Sequence, residues 1–443
     1  VEQIKNYETE IAGLQKEIGQ ANENLRNGQN AYHREYSRLE SLRNLTERYD
    51  GYGNSIRRVM EQKSREPKIL GVVADLIKVD KKYETAVEIA LGGSIQNIVT
   101  ADEETAKKMI GYGRRYIADE GVSVVDMCVE CAEKLFDEMG YDRNKIDLLV
   151  FVNQKPDFRE PADACIAHGK LGLNENCASF DILLGCSGYP HGLFMASSMI
   201  ESKVAQCALI LVGDIASYGI RKDNRKSAQL FGDACSATII EYTKEHSPIA
   251  FSLGTRGKDW ETIITPMGGI KIAPKKEDFD LIFDDGNGNK WNPMQPLMQG
   301  EDVFSFSIEI APKIIQNVLD IMNYNDSNID YYIIHQANKQ IVESIAMAGG
   351  LPTHKVPTET FTKYANNSTN SVVTAMCDVL KDKNVSNIVI CTFGIGLSWG
   401  SILCNISSTY NGGIETYMPK TKYTRDEMIS KYVTIFSRGG GAN

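Results

Sequence analysis

One cysteine of the sequence has neighbours that favour use as a nucleophile. Cys186 stands in Gly-Cys-Ser-Gly directly after the apolar run Ile182–Leu184, a pattern typical of a turn from a strand into a helix. Backbone N–H groups and a helix N-terminus at such a turn stabilise the thiolate, so we expect the pKa of this thiol to be lowered. This predicts an acyl-accepting or otherwise nucleophilic cysteine.

The other nine cysteines are interpreted as small buried side chains, which is the common use of cysteine inside proteins. Cys128 and Cys131 form a Cys-x-x-Cys pair, but they fall in the middle of a predicted helix with no second pair or histidine beside them. We therefore expect no metal or redox role for this pair.

Two further side chains are candidates for the same site. His335 follows the apolar strand Tyr331–Ile334, and a histidine at the end of a parallel strand faces a cleft rather than a core. Asn366 opens a polar segment before a helix, where helix capping alone would also explain an asparagine. The glycines of the turn Phe393–Gly400 allow backbone N–H groups to approach a ligand.

These residues recur at matching places in an internal repeat. Ile146-Asp147 and Ile329-Asp330 each begin an apolar strand, and Cys186 and Asn366 follow them at similar distances. A further strand and a glycine turn then follow in both copies. From Tyr112 onward apolar strands alternate with helices, which predicts a duplicated α/β fold with mostly parallel sheets covered on both faces. Duplication would bring both strand ends to one cleft.

The first 111 residues have a different pattern of apolar and polar residues. Residues 1–48 lack proline and carry apolar side chains at heptad spacing, from Ile4 to Leu42, which predicts a coiled-coil helix. An amphipathic helix lying on a globular body is the alternative. Residues 49–111 alternate strand-like runs, Val72–Ile77 and Ile95–Thr100, with helical ones, and predict a small α/β segment.

Composition narrows the class of protein. The 48 basic and 58 acidic residues give a net charge of −10, which argues against a nucleic-acid-binding surface spread over the whole protein. No apolar run approaches the roughly 20 residues of a membrane helix, and the N-terminus lacks the apolar core of a signal peptide. Ten cysteines are too few for a secreted disulfide scaffold. We therefore expect a cytoplasmic protein that does not contact a membrane.

The residues from about 113 to 407 resemble the β-ketoacyl-acyl-carrier-protein synthase III family, which has the thiolase fold. The resemblance is carried by a set of short motifs. They are Arg-Arg-Tyr-Ile-Ala at 114–118, Gly-Cys-Ser-Gly around Cys186, Phe231-Gly-Asp-Ala, His335-Gln-Ala-Asn, Tyr364-Ala-Asn-Asn-Ser and Phe393-Gly-x-Gly-Leu-x-Trp-Gly. The implied fold has duplicated α-β-α-β-α layers, with halves at 112–245 and 246–407.

The resemblance implies a decarboxylating Claisen condensation of an acyl-CoA with malonyl-acyl-carrier protein. Cys186 would be the acylated nucleophile, and His335 with Asn366 would drive decarboxylation. The backbone N–H groups of Cys186 and Ile395 would form the oxyanion hole. The resemblance also implies a homodimer, with acyl-CoA and acyl-carrier protein as partners and no metal or redox cofactor. A cysteine-dependent thioesterase would use the same three side chains with water as the acceptor.

Residues 49–110 resemble the first half of the hinge of bacterial SMC chromosome-condensation proteins. The similar segments are GYGNSIRRVM, GVVADLIKV, KYETAVEIALGGSIQNIV and EETAKKMI. No G-x-x-x-x-G-K-[ST] motif is present, so the sequence does not support an ATPase. A non-catalytic coiled-coil and hinge dimerisation protein is therefore the alternative function.

The resemblance to the synthase family is incomplete at its start. Family members begin with a strand that becomes central in the first sheet, followed by a tryptophan- and arginine-bearing segment that grips the CoA adenine. Here hinge-like sequence runs directly into Gly113, and no tryptophan precedes Trp260. We expect the strand Ile95–Thr100 to fill the missing place, or the first sheet to be impaired. Residues 408–443 are expected to be an irregular tail.

Overall fold

A computed structural model describes most of the chain. It describes residues 66–77, 98–102, 104–105, 111–224, 227–245, 247–284, 289–419 and 424–439, with positions 13, 18, 20, 21, 25, 28, 60 and 63. The chain divides into two compact units, Val1–Thr105 and Ala106–Asn443. Among the described residues, no helix is both long and apolar enough to cross a membrane.

The first unit contains a small antiparallel sheet. Strand β1 (Ile69–Val72) leads directly into the one-turn helix α1 (Val73–Leu76), and β1 pairs with β2 (Ile98–Thr100). The predicted strand over Val72–Ile77 is therefore wrong in position. The apolar side chains that anchor the strand are Ile69 and Val72, both fully buried, and they precede the helical turn.

The predicted coiled coil over residues 1–48 lies almost entirely outside the described residues. The six described positions in this stretch are helical, and the seam residues Ile18 and Leu25 have exposed side chains. The coiled coil therefore stays a prediction.

The second unit begins with a four-stranded sheet. Its elements are α2 (Val124–Met139), β3 (Leu148–Asn153), α3 (Asp163–Leu171), β4 (Ala178–Leu183), α4 (Gly188–Glu201), β5 (Cys207–Asp214) and β6 (Ala234–Glu241). The spatial order is β4-β3-β5-β6. The first three strands are parallel, and β6 is antiparallel to β5. All residues of β3 and β5 are buried, as expected for strands covered on both faces.

A second four-stranded sheet follows. The elements are β7 (Ala250–Thr255), β8 (Ile263–Ile264), β9 (Phe283–Asp284), β10 (Lys290–Trp291), β11 (Leu297–Met298), α5 (Gly300–Met322), β12 (Tyr331–Ile334), α6 (Lys339–Ala348), α7 (Thr360–Tyr364), α8 (Ser371–Leu380), β13 (Asn387–Gly394) and β14 (Ser398–Asn405). Its order is β12-β13-β14-β7, with β12 and β13 parallel and the remaining pairs antiparallel. The short strands β8 to β11 form two separate pairs.

Three apolar clusters give the unit its layers. The central cluster joins both sheets through α4 and α8, with Leu193 and Val372 among its buried residues. The cluster outside the first sheet is built with α2 and α3, and the cluster outside the second with α5 and α6. The layers are therefore helix, sheet, helix, sheet, helix, which confirms the thiolase-like architecture expected from the sequence.

The duplication shows which strand the first sheet lacks. Strands β3, β5 and β6 correspond in order and direction to β12, β13 and β14. In the second half β7 covers the outer edge of β14, whereas no described strand covers the outer edge of β6. The missing strand is thus an edge strand, and the expectation of a missing central strand is wrong. The ladder from β4 to β6 remains continuous because it does not depend on that edge.

Two further expectations need correction. Strand β2, within the predicted run Ile95–Thr100, pairs with β1 and does not fill the open edge of β6. The tail is not irregular throughout: residues 408–419 have no regular structure, but helix α9 spans Arg425–Gly439. A helix forms there because the segment from Arg425 to Ser437 contains neither glycine nor proline.

Candidate active site

The loop between β4 and α4 carries Cys186. The residue is partly exposed but its thiol is buried, and the backbone N–H groups of Cys186 and Ile395 both hydrogen-bond toward the sulfur. Burial nevertheless raises the pKa of the Cys186 thiol to about 11, with a further contribution from the Asp214 carboxyl. The expectation of a lowered pKa is therefore wrong: desolvation outweighs the two N–H groups and the Ser368 side chain, which lower it.

Glycines allow the turn after β13 to approach the cysteine. A Cβ atom at Gly394 would lie 2.6 Å from Cys186 Cβ and 3.0 Å from its sulfur, distances that a side chain cannot adopt. A Cβ at Gly185 would lie 2.7 Å from the Ile395 side chain. The glycines at these two positions therefore bring the Ile395 N–H to the sulfur.

The end of β12 carries His335, which is 2% exposed. Its Nδ1 contacts the Ser371 hydroxyl, and its ring packs edge-on against Phe393 with centroids 5.4 Å apart. Burial lowers the pKa of the imidazole to about 3, so the ring is neutral at pH 7. With Nδ1 held by Ser371, Nε2 is the nitrogen left for a ligand.

Asn366 lies in the polar turn before α8 and is 4% exposed. Its backbone N–H donates to Leu230 O (3.0 Å), and its Oδ1 accepts from the Ser368 N–H (2.9 Å). Since Oδ1 is engaged within the turn, the amide nitrogen is the group left to donate to a ligand. The same bond also satisfies the first N–H of the 3₁₀ turn Ser368–Asn370 that leads into α8, so the capping role expected from the sequence is present as well.

Two groups of contacts connect the three predicted residues. Ser368 hydrogen-bonds Cys186 through its side chain and Asn366 through its backbone N–H. Phe393 packs on His335, and the adjacent Gly394 lies against Cys186. The structure therefore brings the Cys186 thiol, the neutral His335 imidazole and the Asn366 amide to turns that contact one another.

Three polar residues around this site are not predicted by the sequence pattern. Ser371 orients His335, Ser368 joins Cys186 to Asn366, and Asp214 is a buried carboxyl whose pKa is raised by burial. Asp214 follows Gly213 at the end of β5, the position that Ile395 occupies after Gly394 in the other copy. The internal repeat was the signal that would have placed it near the cleft.

Within the described residues, no group of three or more His, Cys, Asp or Glu side chains could hold a metal ion. The chemical groups gathered at the site are a thiol, main-chain N–H groups, a neutral imidazole and an amide, with the Asp214 carboxyl and the Ser368 hydroxyl beside the thiol. Such a set suits acyl transfer, in which a covalent thioester forms and negative charge develops on carbonyl oxygens.

Comparison with known proteins identifies two families. Models for 3-oxoacyl-[acyl-carrier-protein] synthase III match residues 180–257 and, for its C-terminal part, residues 319–406. A model for the flexible hinge domain of SMC proteins matches residues 66–126. The hinge resemblance is confirmed by this match, which extends into the second unit as far as α2.

Relatives and solved structures agree with the synthase assignment. A putative 3-oxoacyl-[acyl-carrier-protein] synthase 3 of Campylobacter jejuni is 33% identical over 337 residues, covering 74% of this chain and 93% of the relative. A β-ketoacyl-[acyl-carrier-protein] synthase III of Acholeplasma laidlawii is 31% identical over 72% of this chain and 94% of its own.

The crystal structure of a 3-oxoacyl-(acyl-carrier protein) synthase from Burkholderia xenovorans superposes with a TM-score of 0.64 at 31% identity. This comparison covers 76% of this chain and 93% of that one. Fold, motifs and sequence identity therefore lead to one assignment: the chain belongs to the 3-oxoacyl-[acyl-carrier-protein] synthase III family and is an acyltransferase of that type.

Proposed function

We propose that this protein condenses an acyl-CoA with malonyl-acyl-carrier protein, with loss of carbon dioxide, to give a 3-ketoacyl product. The observation that carries the proposal is that Cys186 with its two main-chain N–H donors, the neutral His335 and the Asn366 amide lie on turns that contact one another. Each of these groups matches one requirement of the reaction.

The first half-reaction acylates Cys186. The sulfur attacks the thioester carbonyl, the carbon–sulfur bond to CoA breaks, and the thiol proton leaves with the CoA thiolate. The N–H groups of Cys186 and Ile395 stabilise the oxyanion of the tetrahedral intermediate. Loss of one such donor typically raises the barrier by about 2.7–4 kcal/mol. The raised thiol pKa means that the resting nucleophile is protonated at pH 7.

The second half-reaction uses His335 and Asn366. Their Nε2–H and amide N–H groups donate to the malonyl thioester carbonyl as carbon dioxide leaves, because negative charge then develops on that oxygen. The resulting carbanion attacks the acyl-Cys186 carbonyl, a carbon–carbon bond forms, and the Cys186 thiolate departs. A neutral imidazole suits this role, since its task is to donate without already holding a charge. The substrates and these side chains supply every bond change, so no metal or redox cofactor takes part in this scheme.

The test is intact-mass measurement after incubation with short acyl-CoAs, beside a Cys186→Ala control. We expect the unsubstituted protein to gain one acyl group and the control to gain none. Addition of malonyl-acyl-carrier protein should then release the acyl group as a 3-ketoacyl product.

Two outcomes would favour the alternative functions, the thioesterase and the non-catalytic dimerisation protein. Acylation followed by release of free acid, with no ketoacyl product, would indicate a thioesterase. Absence of any Cys186-dependent acylation would contradict both enzymatic readings and leave the coiled-coil and hinge dimerisation protein.

We also propose a cytoplasmic homodimer formed through β4. No described strand pairs with the outer edge of β4, Leu183 at the end of β4 is 66% exposed, and Phe194 and Met195 of the following helix α4 also have exposed side chains. Apolar side chains next to an unpaired strand edge favour association with a second copy, which would continue the sheet across a two-fold axis.

A further inference from the structure

We propose that Cys131 and Cys235 are a reversible disulfide-forming pair that controls the Asn366 loop. The two residues are 104 positions apart and lie on different elements, α2 and β6, so their spacing in the chain does not connect them. In the folded chain their sulfur atoms are 3.3 Å apart. A disulfide has a sulfur–sulfur distance of about 2.05 Å, so a small closing movement of the two side chains is required.

Solvent can reach the pair through a cavity. Both residues are partly exposed although their thiols are largely buried, and they line a cavity of about 820 Å³ beside the open edge of β6. The exposed Met139 and Tyr410 also line this cavity. The Cys128 thiol, one turn before Cys131, also contacts Cys235, but Cys128 is fully buried and does not line the cavity, so an oxidant in the cavity meets Cys131 and Cys235 first.

The elements that carry the pair are anchored to each other. Helix α2 packs directly on β6, and the Cys131 thiol also lies 3.8 Å from the Cys235 carbonyl oxygen. Because the two sulfur atoms already lie in contact, oxidation would join α2 covalently to the start of β6.

The start of β6 also holds the loop that carries Asn366. The Gly232 N–H donates to Asn366 O (3.0 Å), Asn370 Nδ2 donates to Ala234 O (2.8 Å), and the Ser236 hydroxyl donates to Asn370 Oδ1 (2.6 Å). Ala234 and Ser236 flank Cys235 in the chain. A covalent bond at Cys235 would therefore act directly on the hydrogen bonds that position Asn366, whereas Cys186 is linked to the same turn through the Ser368 side chain.

The oxidant of the two thiols is a small disulfide such as oxidised glutathione. One thiolate attacks oxidised glutathione and releases one glutathione; the second thiolate attacks the mixed disulfide and releases the other. The protein loses two electrons and two protons, and one oxidised glutathione becomes two reduced molecules. Both thiols have pKa values well above the ordinary value, so the reaction should be faster at alkaline than at neutral pH.

The experiment treats the full chain with oxidised glutathione and measures intact mass after alkylation of the remaining thiols. We expect a loss of about two hydrogens per chain, reversal by dithiothreitol, and a tryptic peptide pair joining Cys131 to Cys235. Cys131→Ser should abolish the bond, and Cys128→Ala should retain it. Absence of the joined peptides from the unsubstituted protein would overturn the proposal, as would their loss in Cys128→Ala.

The consequence for the site is tested separately and rests on the proposed function. Oxidation should slow ketoacyl formation several-fold while acylation of Cys186 changes less than twofold, and Cys131→Ser should remove this sensitivity. If the disulfide forms but the rate of ketoacyl formation does not change, the proposal that the disulfide controls the Asn366 loop is overturned. If the reduced protein makes no ketoacyl product, the proposed function fails, while the mass measurement still decides whether the disulfide forms.

Discussion

At the scale of single residues, burial decides the charge state of the candidate active site. It raises the pKa of the Cys186 thiol to about 11 and lowers that of the His335 imidazole to about 3. Both side chains are therefore neutral at pH 7, rather than forming a thiolate–imidazolium pair. The arrangement suits a site that must stabilise charge only as it develops on the substrate.

Asn366→Ala should separate the two half-reactions. We expect acylation of Cys186 to be nearly unchanged, whereas ketoacyl formation should fall by about 10²–10³, the usual effect of removing one donor to a developing oxyanion. Intact-mass measurement of the acyl-enzyme and product formation from malonyl-acyl-carrier protein report the two steps. Val204→Ala, at an exposed position, serves as the control. Equal loss of both steps would contradict the assigned role.

His335 should make the stability of the protein depend on pH. Its pKa is lowered from 6.5 to about 3 on folding, so the unfolded chain binds a proton that the folded chain does not. The free energy of unfolding contributed by this group is fully present above pH 6.5 and falls as the pH decreases from 6.5 toward 3.

Urea unfolding of His335→Gln beside the unsubstituted protein measures this contribution. Between pH 6 and pH 4 the free energy of unfolding should depend less steeply on pH in the variant. The difference in slope should correspond to the uptake of about one proton on unfolding. Identical slopes in the two proteins would show that the imidazole is not buried in its neutral form.

At the scale of elements, the site is made by strand ends and the turns that follow them. The turn after β4 presents Cys186, the end of β12 presents His335, and the turn after β13 presents the Ile395 N–H. The cleft depends on close approach of two of these turns, because Gly394 lies directly against Cys186. A small displacement of the turn after β13 should therefore also move the turn that carries Cys186.

Gly394→Ala tests this approach. The added methyl group would lie 2.6 Å from Cys186 Cβ, so one of the two turns must move and withdraw the Ile395 N–H from the sulfur. We expect acylation to slow by at least about tenfold, with a lower unfolding midpoint. Gly257→Ala has no atom within 4 Å of its new methyl group and is the matched control. An unchanged acylation rate in Gly394→Ala would contradict the oxyanion role of Ile395.

At the scale of the whole molecule, the second unit leaves both edges of its first sheet without a described partner strand. The edge of β4 adjoins exposed apolar side chains and suits a second copy, whereas the edge of β6 borders the cavity that contains Cys131 and Cys235. The two edges therefore differ in surroundings. We expect the β4 edge to form the dimer and the β6 edge to give an oxidant access to the cysteine pair.

Leu183→Lys tests the proposed dimer. A charged side chain beside the β4 edge should oppose pairing of two sheets, so the variant should sediment as a monomer where the unsubstituted protein has twice the chain mass of 49.2 kDa. Ile321→Lys, at another exposed apolar position on α5, should leave the dimer intact. A monomeric unsubstituted protein, or a dimeric Leu183→Lys variant, would contradict the interface.

The sequence by itself determined the order of elements and the candidate residues. The apolar runs of β3, β5, β12 and β13 predicted buried strands, and the repeat around Asp147 and Asp330 predicted two halves with a shared cleft. These features could be read because strand burial and turn chemistry are local in the chain.

Tertiary structure alone decided the properties that depend on neighbours distant in sequence. The raised thiol pKa of Cys186 follows from packing by other segments, and the Ser371 contact that orients His335 joins β12 to α8. The edge position of the missing strand and the approach of Cys131 to Cys235 likewise appear only when α2 packs on β6. Desolvation and contact distance are properties of the folded surroundings, and a linear pattern of residue types does not specify them.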